Sequence, residues 1–348
     1  MSQKKILFYD AKPYDQASFE VANAAYRFDF KFLRSHLTED TAVIAKGYDA
    51  ICLFVNDHLT ASIADILVEN TISIVALRCA GYNNIDLHAA YKRLHVVRVP
   101  SYSPYAVAEH ATALMLALNR KTHKAYYRTR DNNFTINGLM GFDMRGKTAG
   151  VIGTGQIGKV LMQILHGFGM TILAYDKFPD RAFAEQYGVR YVELDELYAE
   201  SDIISLHCPL TKETYHLINE QTINKMKPTV MLINTGRGQL IDSKALVDAL
   251  RDKRVGAAGL DVYEEESDYF FEDFSTEIVD DDVLARLISF PNVLLTSHQA
   301  YFTQEALSQI ATTTLRNLQE YFDGKPLPNE ICYQCGDTCR KKTEGRCF

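Results

Sequence analysis

The segment VIGTGQIGKV, residues 151–160, constrains the fold of this chain more than any other feature. Its glycines, Gly153, Gly155 and Gly158, follow the pattern G-x-G-x-x-G. The run TAGVI before them is apolar and β-branched, as a buried parallel strand should be, and KVLMQILHGFG continues as a helix. In such a unit the glycines allow a tight turn, close approach of a pyrophosphate and close helix–strand packing, and the helix N-terminus faces the phosphates. The pattern predicts a dinucleotide-binding Rossmann unit.

A Rossmann unit that binds NAD has an acidic residue at the end of its second strand, and this sequence has one there. Asp176 ends the next strand-like run, TILAYD, 18 residues after Gly158. A carboxylate at this place accepts hydrogen bonds from the adenosine ribose hydroxyls and repels a 2′-phosphate. The sequence therefore predicts NAD rather than NADP as the cofactor.

The position of the glycine motif near mid-chain determines the expected architecture. Strand-like runs alternate with helix-length segments along all 348 residues, which is typical of an α/β fold with parallel sheets and of two domains. Four such runs lie in the first hundred residues, enough for a small flavodoxin-like domain, and a second set begins at Lys147. A helical pattern from about residue 303 has room to return to the first domain. We therefore predict a Rossmann NAD-binding domain inserted into a flavodoxin-like substrate domain.

The same patterns give the expected boundaries. Residues 1–103 form the first part of the substrate domain, and residues 104–299 form the NAD-binding domain. Residues 300–331 return to the substrate domain, and residues 332–348 form a cysteine-rich tail.

Composition excludes several classes of function. A formal net charge of −7 with no basic block argues against nucleic-acid binding. No apolar stretch is long enough to span a membrane, and the N-terminal run lacks the apolar core of a signal peptide. We expect a cytoplasmic protein with a small-molecule substrate.

Three polar residues of complementary chemistry follow predicted strands. Arg237 follows VMLIN, Glu266 follows AAGLDVY, and His298 follows NVLLT. Ligands of open α/β sheets bind at the carboxyl ends of the strands, so these side chains are expected at the edge that carries the nicotinamide. Each of them alone is also common as a surface or strand-end residue. Their joint placement favours a catalytic set.

These residue types suit the reduction of a 2-keto acid. Arg237 would hold the substrate carboxylate and polarise the carbonyl through its planar donors. His298, as the imidazolium, would protonate the carbonyl oxygen, and in the reverse direction it would be the base. Glu266 beside it would favour the charged imidazole and fix its orientation.

The chain from about residue 4 to 331 resembles the D-isomer-specific 2-hydroxyacid dehydrogenases, and within them the bacterial fermentative D-lactate dehydrogenases. The motifs that carry the resemblance are VIGTGQIG, SLHCPLTKETYHLIN, LINTGRGQLID, GLDVYEEE and TSHQA. The resemblance implies the two-domain fold inferred above, an active site between the domains, and homo-oligomers, as dimers or tetramers. It also assigns the catalytic arginine, glutamate and histidine to Arg237, Glu266 and His298.

The resemblance further implies two sets of binding residues. With the glycine motif included, the NAD contacts are Gly153, Gly155, Gln156, Ile157, Gly158, Asp176, Cys208, Pro209, Thr214, Thr235, Gly236 and Asp261. Asp261 would bind the nicotinamide carboxamide. The implied substrate contacts are Ala80, Gly81, Tyr102, Arg237 and Tyr301. The backbone of Ala80 and Gly81 would bind the carboxylate of the substrate.

Tyr102 and Tyr301 suggest a cramped pocket suited to a methyl side chain, hence pyruvate and D-lactate. Two alternatives remain open: a dehydrogenase for a bulkier 2-keto acid, and a non-catalytic NAD-sensing protein on the same fold. The intact set of Arg237, Glu266 and His298 favours catalysis.

The tail departs from the family pattern. Its cysteines, Cys332, Cys335, Cys339 and Cys347, follow the spacing C-x2-C-x3-C-x7-C. Four thiolates can hold zinc, but the run is short and lacks an apolar complement. We expect a reduced, mobile tail without metal.

Overall fold

The computed structural model of the protein describes residues 3–266, 269–334 and 340–348. The chain divides into two compact units. The first unit comprises Met1–Ser103 and Phe302–Phe348, and the second comprises Pro104–Tyr301.

The secondary structure alternates between strands and helices, numbered here in chain order. The strands are β1 (Lys5–Phe8), β2 (Asp29–Phe32), β3 (Ala50–Leu53), β4 (Ile74–Leu77), β5 (His95–Val97), β6 (Thr148–Ile152), β7 (Thr171–Tyr175), β8 (Val189–Tyr191), β9 (Ile203–Leu206), β10 (Met231–Asn234), β11 (Ala257–Leu260), β12 (Val293–Leu295) and β13 (Glu330–Ile331). The α-helices are α1 (Pro13–Asn23), α2 (Glu39–Ala42), α3 (Ala61–Glu69), α4 (Leu87–Ala90), α5 (Pro104–Arg120), α6 (Thr122–Arg130), α7 (Gln156–Gly167), α8 (Arg181–Tyr187), α9 (Leu194–Glu200), α10 (Glu220–Ile223), α11 (Ser243–Arg251), α12 (Asp282–Ser289), α13 (Gln304–Phe322) and α14 (Lys341–Glu344).

The first unit is built on a sheet in the order β13-β5-β4-β3-β1-β2. Its strands are parallel except for β13, which pairs antiparallel with β5. The C-terminal helix α13 packs against α1 and β4. Leu315 and Leu318 of α13 share one hydrophobic core with Phe8 and Phe19. The C-terminal segment thus completes the core that the N-terminal segment begins.

The second unit contains an all-parallel sheet in the order β12-β11-β10-β9-β6-β7-β8. Alternate strand residues enter two separate cores: Ile233 packs with α5 and α7, while Leu232 packs with residues of α9 and α11. A parallel sheet covered on both faces explains why its strands are continuously apolar. The strand order reverses between β6 and β9, where doubly wound sheets open a crevice at their carboxyl ends. The predicted fold class, a Rossmann domain inserted into a second α/β domain, is confirmed.

The described part of the tail packs against the first unit, so the expectation of a mobile tail is wrong for residues 340–348. Gly345 O accepts a hydrogen bond from Leu327 N at 2.7 Å, and the Phe348 ring stacks on His95 with centroids 4.3 Å apart. Cys332 and Cys347 are buried. Cys335 and Cys339 lie outside the described residues, so the four-cysteine arrangement stays a prediction.

Among the described residues, no helix combines the length and the apolar character that crossing a lipid bilayer requires.

Candidate active site

Three neighbouring strands of the second unit place the predicted catalytic residues. Strands β10, β11 and β12 are adjacent and parallel. Arg237 lies beyond the end of β10, Glu266 beyond β11 and His298 beyond β12. The carboxyl ends of parallel neighbours meet at one sheet edge, so the three side chains share the edge predicted from the sequence.

Glu266 and His298 form a direct pair. His298 Nδ1 lies 2.8 Å from Glu266 Oε1, and Glu266 Oε2 accepts a hydrogen bond from Tyr263 N at 3.0 Å. Because a carboxylate only accepts hydrogen bonds, this contact assigns the proton to Nδ1 and leaves Nε2 for a ligand. Nε2 has no hydrogen-bond partner in the part of the chain that the structure describes. The histidine is therefore oriented at one nitrogen and available at the other.

The backbone of His298 lies in the left-handed region, with φ of 48°. Asp261 holds this conformation, because Asp261 O accepts a hydrogen bond from His298 N at 2.7 Å. The Asp261 carboxylate also accepts bonds from Gln299 N at 2.9 Å and Ala300 N at 2.7 Å. One buried residue thus fixes the turn that presents the histidine.

Asp261 also receives side-chain hydrogen bonds that the sequence did not predict. Thr296 Oγ1 donates to Asp261 Oδ1 at 2.5 Å, and His110 Nε2 on α5 lies 3.1 Å from Thr296 Oγ1 and 3.3 Å from Asp261 Oδ1. Burial alone would raise the pKa of Asp261, but these bonds and the two backbone amides outweigh burial and lower the pKa. Asp261 is therefore ionised at neutral pH. The one sequence signal for His110 is a polar residue on a mostly apolar helix.

Arg237 is held at its backbone and left open at its guanidinium. The buried Asn234 side chain donates to Arg237 O at 2.8 Å and accepts from Gly236 N at 3.0 Å, which closes the turn. The guanidinium donates to Gly236 O at 2.7 Å, and no described carboxylate lies within ion-pair distance of it. A guanidinium without an acidic partner is suited to bind a carboxylate ligand.

The turn of Arg237 packs against the loop of Glu266. A Cβ added to Gly238 would lie 2.1 Å from the carbonyl carbon and oxygen of Tyr263. This separation is shorter than any side chain permits, so the two loops meet backbone to backbone. The structure therefore brings the predicted arginine turn and the glutamate–histidine pair together.

The glycine loop follows β6 as predicted, and its three glycines have different surroundings. Gly153 has φ of +94°, and an added Cβ would lie 2.4 Å from Cys208 N. An added Cβ at Gly158 would lie 2.1 Å from Gly153 O. At Gly155, the N-cap of α7, an added Cβ would meet nothing within 4 Å. Gly153 and Gly158 are required by packing, while Gly155 leaves open space before the helix N-terminus.

Asp176 lies just after β7, beside the glycine loop. Its Oδ2 accepts hydrogen bonds from Thr154 N at 2.6 Å and Thr154 Oγ1 at 3.0 Å, and its Oδ1 accepts from Phe178 N at 2.9 Å. Burial alone would raise the pKa of Asp176, but these backbone bonds outweigh burial and lower the pKa. The carboxylate is therefore charged, as a ribose acceptor should be, and Thr154 orients it.

The remaining predicted cofactor residues border the same edge. Gln156 is exposed and Ile157 half-buried at the start of α7, while Cys208 and Pro209 follow β9. Burial raises the pKa of Cys208 to about 11, so this thiol is neutral. Thr214 Oγ1 donates to Pro209 O at 2.7 Å.

Thr235 Oγ1 is buried and has no hydrogen-bond partner among the described residues. Gly236 follows it and is half-buried. An orphaned hydroxyl together with the open space at Gly155 fits the binding of a dinucleotide.

The predicted substrate residues are distributed over both units. Ala80 and Gly81 follow β4 in the first unit, and their amide nitrogens have no acceptor in the described chain. Their carbonyls are engaged, Ala80 O by Arg98 at 2.6 Å and Gly81 O by Cys79 Sγ at 3.2 Å. Tyr102 is half-buried in the first unit, and Tyr301 is buried in the second. Paired free amides are suited to a carboxylate.

Comparison with known proteins gives a consistent result. Residues 112–300 match the family model for the NAD-binding domain of D-isomer-specific 2-hydroxyacid dehydrogenases. The D-lactate dehydrogenase of Escherichia coli K12 is 51% identical over 328 residues, which cover 94% of this chain and 99% of that protein. The apo-structure of D-lactate dehydrogenase from Escherichia coli matches with a TM-score of 0.87 and 49% identity, covering 94% of this chain and 99% of that one. An NAD-complexed D-isomer-specific 2-hydroxyacid dehydrogenase from Lactobacillus delbrueckii matches with a TM-score of 0.80 and 30% identity, covering 94% and 100% of the two chains.

Proposed function

The chain belongs to the family of D-isomer-specific 2-hydroxyacid dehydrogenases, and on that basis we propose that it is an NAD-dependent D-lactate dehydrogenase. It interconverts pyruvate and NADH with D-lactate and NAD. The observation that carries the proposal is the 2.8 Å pair of Glu266 and His298, which leaves Nε2 of the histidine available, on a loop whose backbone contacts the arginine turn at Gly238. The names of relatives at about half identity support lactate as the hydroxy acid.

The proposed chemistry assigns one task to each catalytic residue. NADH, when bound, supplies the hydride that reduces C2 of the keto acid. His298 Nε2 donates the proton that the carbonyl oxygen gains, and the imidazole then holds only the proton at Nδ1. Glu266 stabilises the imidazolium before this transfer and keeps the ring oriented. Arg237 binds the substrate carboxylate, which fixes the carbonyl relative to Nε2.

The residues of the second unit fit the cofactor. The N-terminus of α7 and the open face of Gly155 would hold the pyrophosphate, and Asp176 would accept hydrogen bonds from the ribose hydroxyls. The orphaned Thr235 hydroxyl would gain a partner on the cofactor. The charge of Asp176 would disfavour a 2′-phosphate, so NAD is preferred over NADP.

The substrate proposal is pyruvate. The free amides of Ala80 and Gly81 in the first unit and the Arg237 guanidinium in the second are each suited to a carboxylate, and the bulk of Tyr102 and Tyr301 favours a methyl side chain over a larger one.

The test is NADH oxidation by the purified protein with pyruvate, 2-ketoisocaproate and hydroxypyruvate. We expect the highest kcat/KM with pyruvate and a product that only a D-specific lactate oxidase consumes. No turnover of any of the three acids would overturn the dehydrogenase proposal. A preference for 2-ketoisocaproate would reassign the substrate while leaving the chemistry intact.

We also propose that the chain forms homo-oligomers through its second unit. Several large apolar side chains in α6 and in the segment between α6 and β6 are exposed, among them Tyr127, Phe134, Ile136 and Met140. Apolar groups clustered on a short exposed stretch are typical of an interface. Because the family forms homo-oligomers, we propose that a second copy of the same chain covers these side chains.

A further inference from the structure

A second histidine–carboxylate pair, His216 and Glu264, has no assigned role in the proposed reaction. Its glutamate lies two positions before Glu266 of the first pair. His216 Nε2 is 2.5 Å from Glu264 Oε1, and both side chains are largely buried. The other carboxylate oxygen of Glu264 accepts a hydrogen bond from Ser243 N at 3.0 Å. Ser243 is the first residue of α11, where the helix dipole favours a negative charge. Glu264 is thus fixed at both oxygens.

The backbone of His216 is joined to the segment that follows Arg237. His216 N donates to Gln239 O at 2.9 Å, and Ile218 N donates to Leu240 O at 3.0 Å. His216 also adopts φ of 49°, and the Tyr215 ring stacks on its imidazole at 4.0 Å. These hydrogen bonds therefore fix His216 to the segment that follows Arg237.

The side chain of Glu264 belongs to the other loop, the one that carries Glu266. Only one residue separates the two glutamates, and the Tyr263 amide at the start of this loop donates to Glu266 Oε2 at 3.0 Å. The two loops meet at Gly238, where the backbones touch without room for a methyl group. The His216–Glu264 pair is the side-chain tie across that junction.

We propose that His216 and Glu264 are positioning residues for catalysis. Their pair sets the distance between the turn of Arg237 and the loop of Glu266, and hence the distance between the carboxylate clamp and the proton donor. Neither residue contacts substrate in this scheme. The inference rests on the proposed function, because it assumes that Arg237 and His298 act on one substrate.

The test compares four variants with the wild type: Glu264→Gln, His216→Asn, the double variant, and Glu265→Gln. Asparagine tolerates the left-handed backbone of position 216 but is too short to reach Glu264. Glu265 is exposed and carries the same charge one residue away, so Glu265→Gln is the matched control. The readouts are kcat and KM for pyruvate, the dissociation constant of NADH and the thermal midpoint.

We expect each single variant to lose about 10- to 100-fold in kcat/KM, because small misplacements of catalytic groups are costly. NADH affinity should stay within about twofold, the double variant should be no worse than the worse single variant, and Glu265→Gln should match the wild type. A lower thermal midpoint with unchanged kcat/KM would overturn the inference and leave a purely structural pair. Additive losses in the double variant would also overturn it. Absence of turnover by the wild type would instead overturn the proposed function, and this inference with it.

Discussion

At the residue scale, the three glycines of the loop after β6 look alike in sequence but differ in what they must avoid. Gly153 and Gly158 face backbone atoms at distances that exclude a methyl group, whereas Gly155 faces open space. The sequence pattern predicted the positions of all three. It also predicted that Gly155 faces the pyrophosphate while Gly153 and Gly158 serve the turn and the packing, but it did not show the contact between Gly153 and Cys208 across 55 residues.

This difference gives a prediction that separates binding from folding. Gly155→Ala should leave the free energy of unfolding nearly unchanged, since its φ of −66° and surroundings accept alanine. It should weaken NADH binding by about tenfold or more, roughly 1.4 kcal/mol, because the methyl group occupies the space for the pyrophosphate. Fluorescence titration with NADH and chemical denaturation measure the two effects.

Unlike Gly155→Ala, Gly158→Ala should lower the free energy of unfolding. The added methyl group would lie 2.1 Å from Gly153 O, so we expect a loss of more than about 2 kcal/mol in unfolding free energy. If instead Gly155→Ala bound NADH with wild-type affinity, the cofactor would not pass close to Gly155, and the prediction for Gly155 would be wrong.

A second residue-scale prediction concerns the guanidinium. Arg237→Lys keeps the charge but loses the planar pair of donors. We expect kcat/KM for pyruvate to fall about 100-fold, mainly through a higher KM, with NADH affinity unchanged. Steady-state kinetics at varied pyruvate provide the measurement. A fall in kcat alone at constant KM would argue against a role in substrate binding.

At the scale of elements, the sequence predicted the central strands, the long helices and the edge strand β12, and it missed the other three edge strands. The alternation of strand-like and helix-length segments predicts strands in the runs KKILFYD, DAICLFVN and TISIVALR. These are β1, β3 and β4, which are mostly buried and therefore continuously apolar. Apolar residues at helical spacing predict a helix over 105–121, and α5 matches it to within a residue at each end. Strands β2, β8 and β13 were not predicted. All three lie at sheet edges, where partial exposure removes the apolar run that reveals a strand.

For the candidate site as well, the sequence predicted some residues and missed others. The strand ends gave Arg237, Glu266 and His298, because parallel strands bring their carboxyl ends to one edge. The roles of His110 and Thr296 depend on a contact between residues 186 positions apart, which no local pattern records. The tie between His216 and Glu264 was equally hidden, although both residues stand in the motifs that carried the family resemblance.

An element-scale prediction follows from the end of β9. Burial lowers the pKa of His207 to about 4, and Ser205 Oγ, 2.8 Å from His207 Nε2, can donate to the neutral ring. The folded-state pKa is below the unfolded value of about 6.5, so the unfolded chain binds the proton first as pH falls. Stability should therefore decrease from pH 6.5 toward pH 4.

Chemical denaturation across this pH range measures the effect. His207→Gln should flatten the slope while leaving the contributions of other histidines in place. An unchanged slope in the variant would show that His207 is accessible to protons in the folded state.

At the scale of the whole molecule, the insertion explains how two α/β units arise from one chain. The first unit needs α13 to complete its core, so the chain must return after the Rossmann unit is finished. The second unit holds the proposed catalytic residues Arg237, Glu266 and His298 and the glycine loop on one sheet edge. The sequence predicted this insertion because the glycine motif lies near the middle and a long amphipathic helix follows the last apolar run.

The whole-molecule prediction concerns assembly. Replacing Phe134, Ile136 and Met140 together by serine should reduce the oligomer to a smaller species in light scattering coupled to size-exclusion chromatography. The three side chains are exposed in the single chain, so the variant should fold normally by circular dichroism. Ile278→Ser is the matched control, since Ile278 is equally exposed outside this stretch. A wild-type protein that elutes as a monomer would remove the basis for the proposed interface.

In the proposed reaction, His298, oriented by Glu266, delivers the proton while pyruvate is reduced. The most direct test of this role is the rate of NADH oxidation with pyruvate for the wild type and for His298→Gln, with NADH binding measured in parallel. We expect a loss of about 100- to 10,000-fold in kcat for the variant, with NADH affinity within about twofold of wild type. A variant that binds NADH normally and retains near-wild-type kcat would contradict this role of His298.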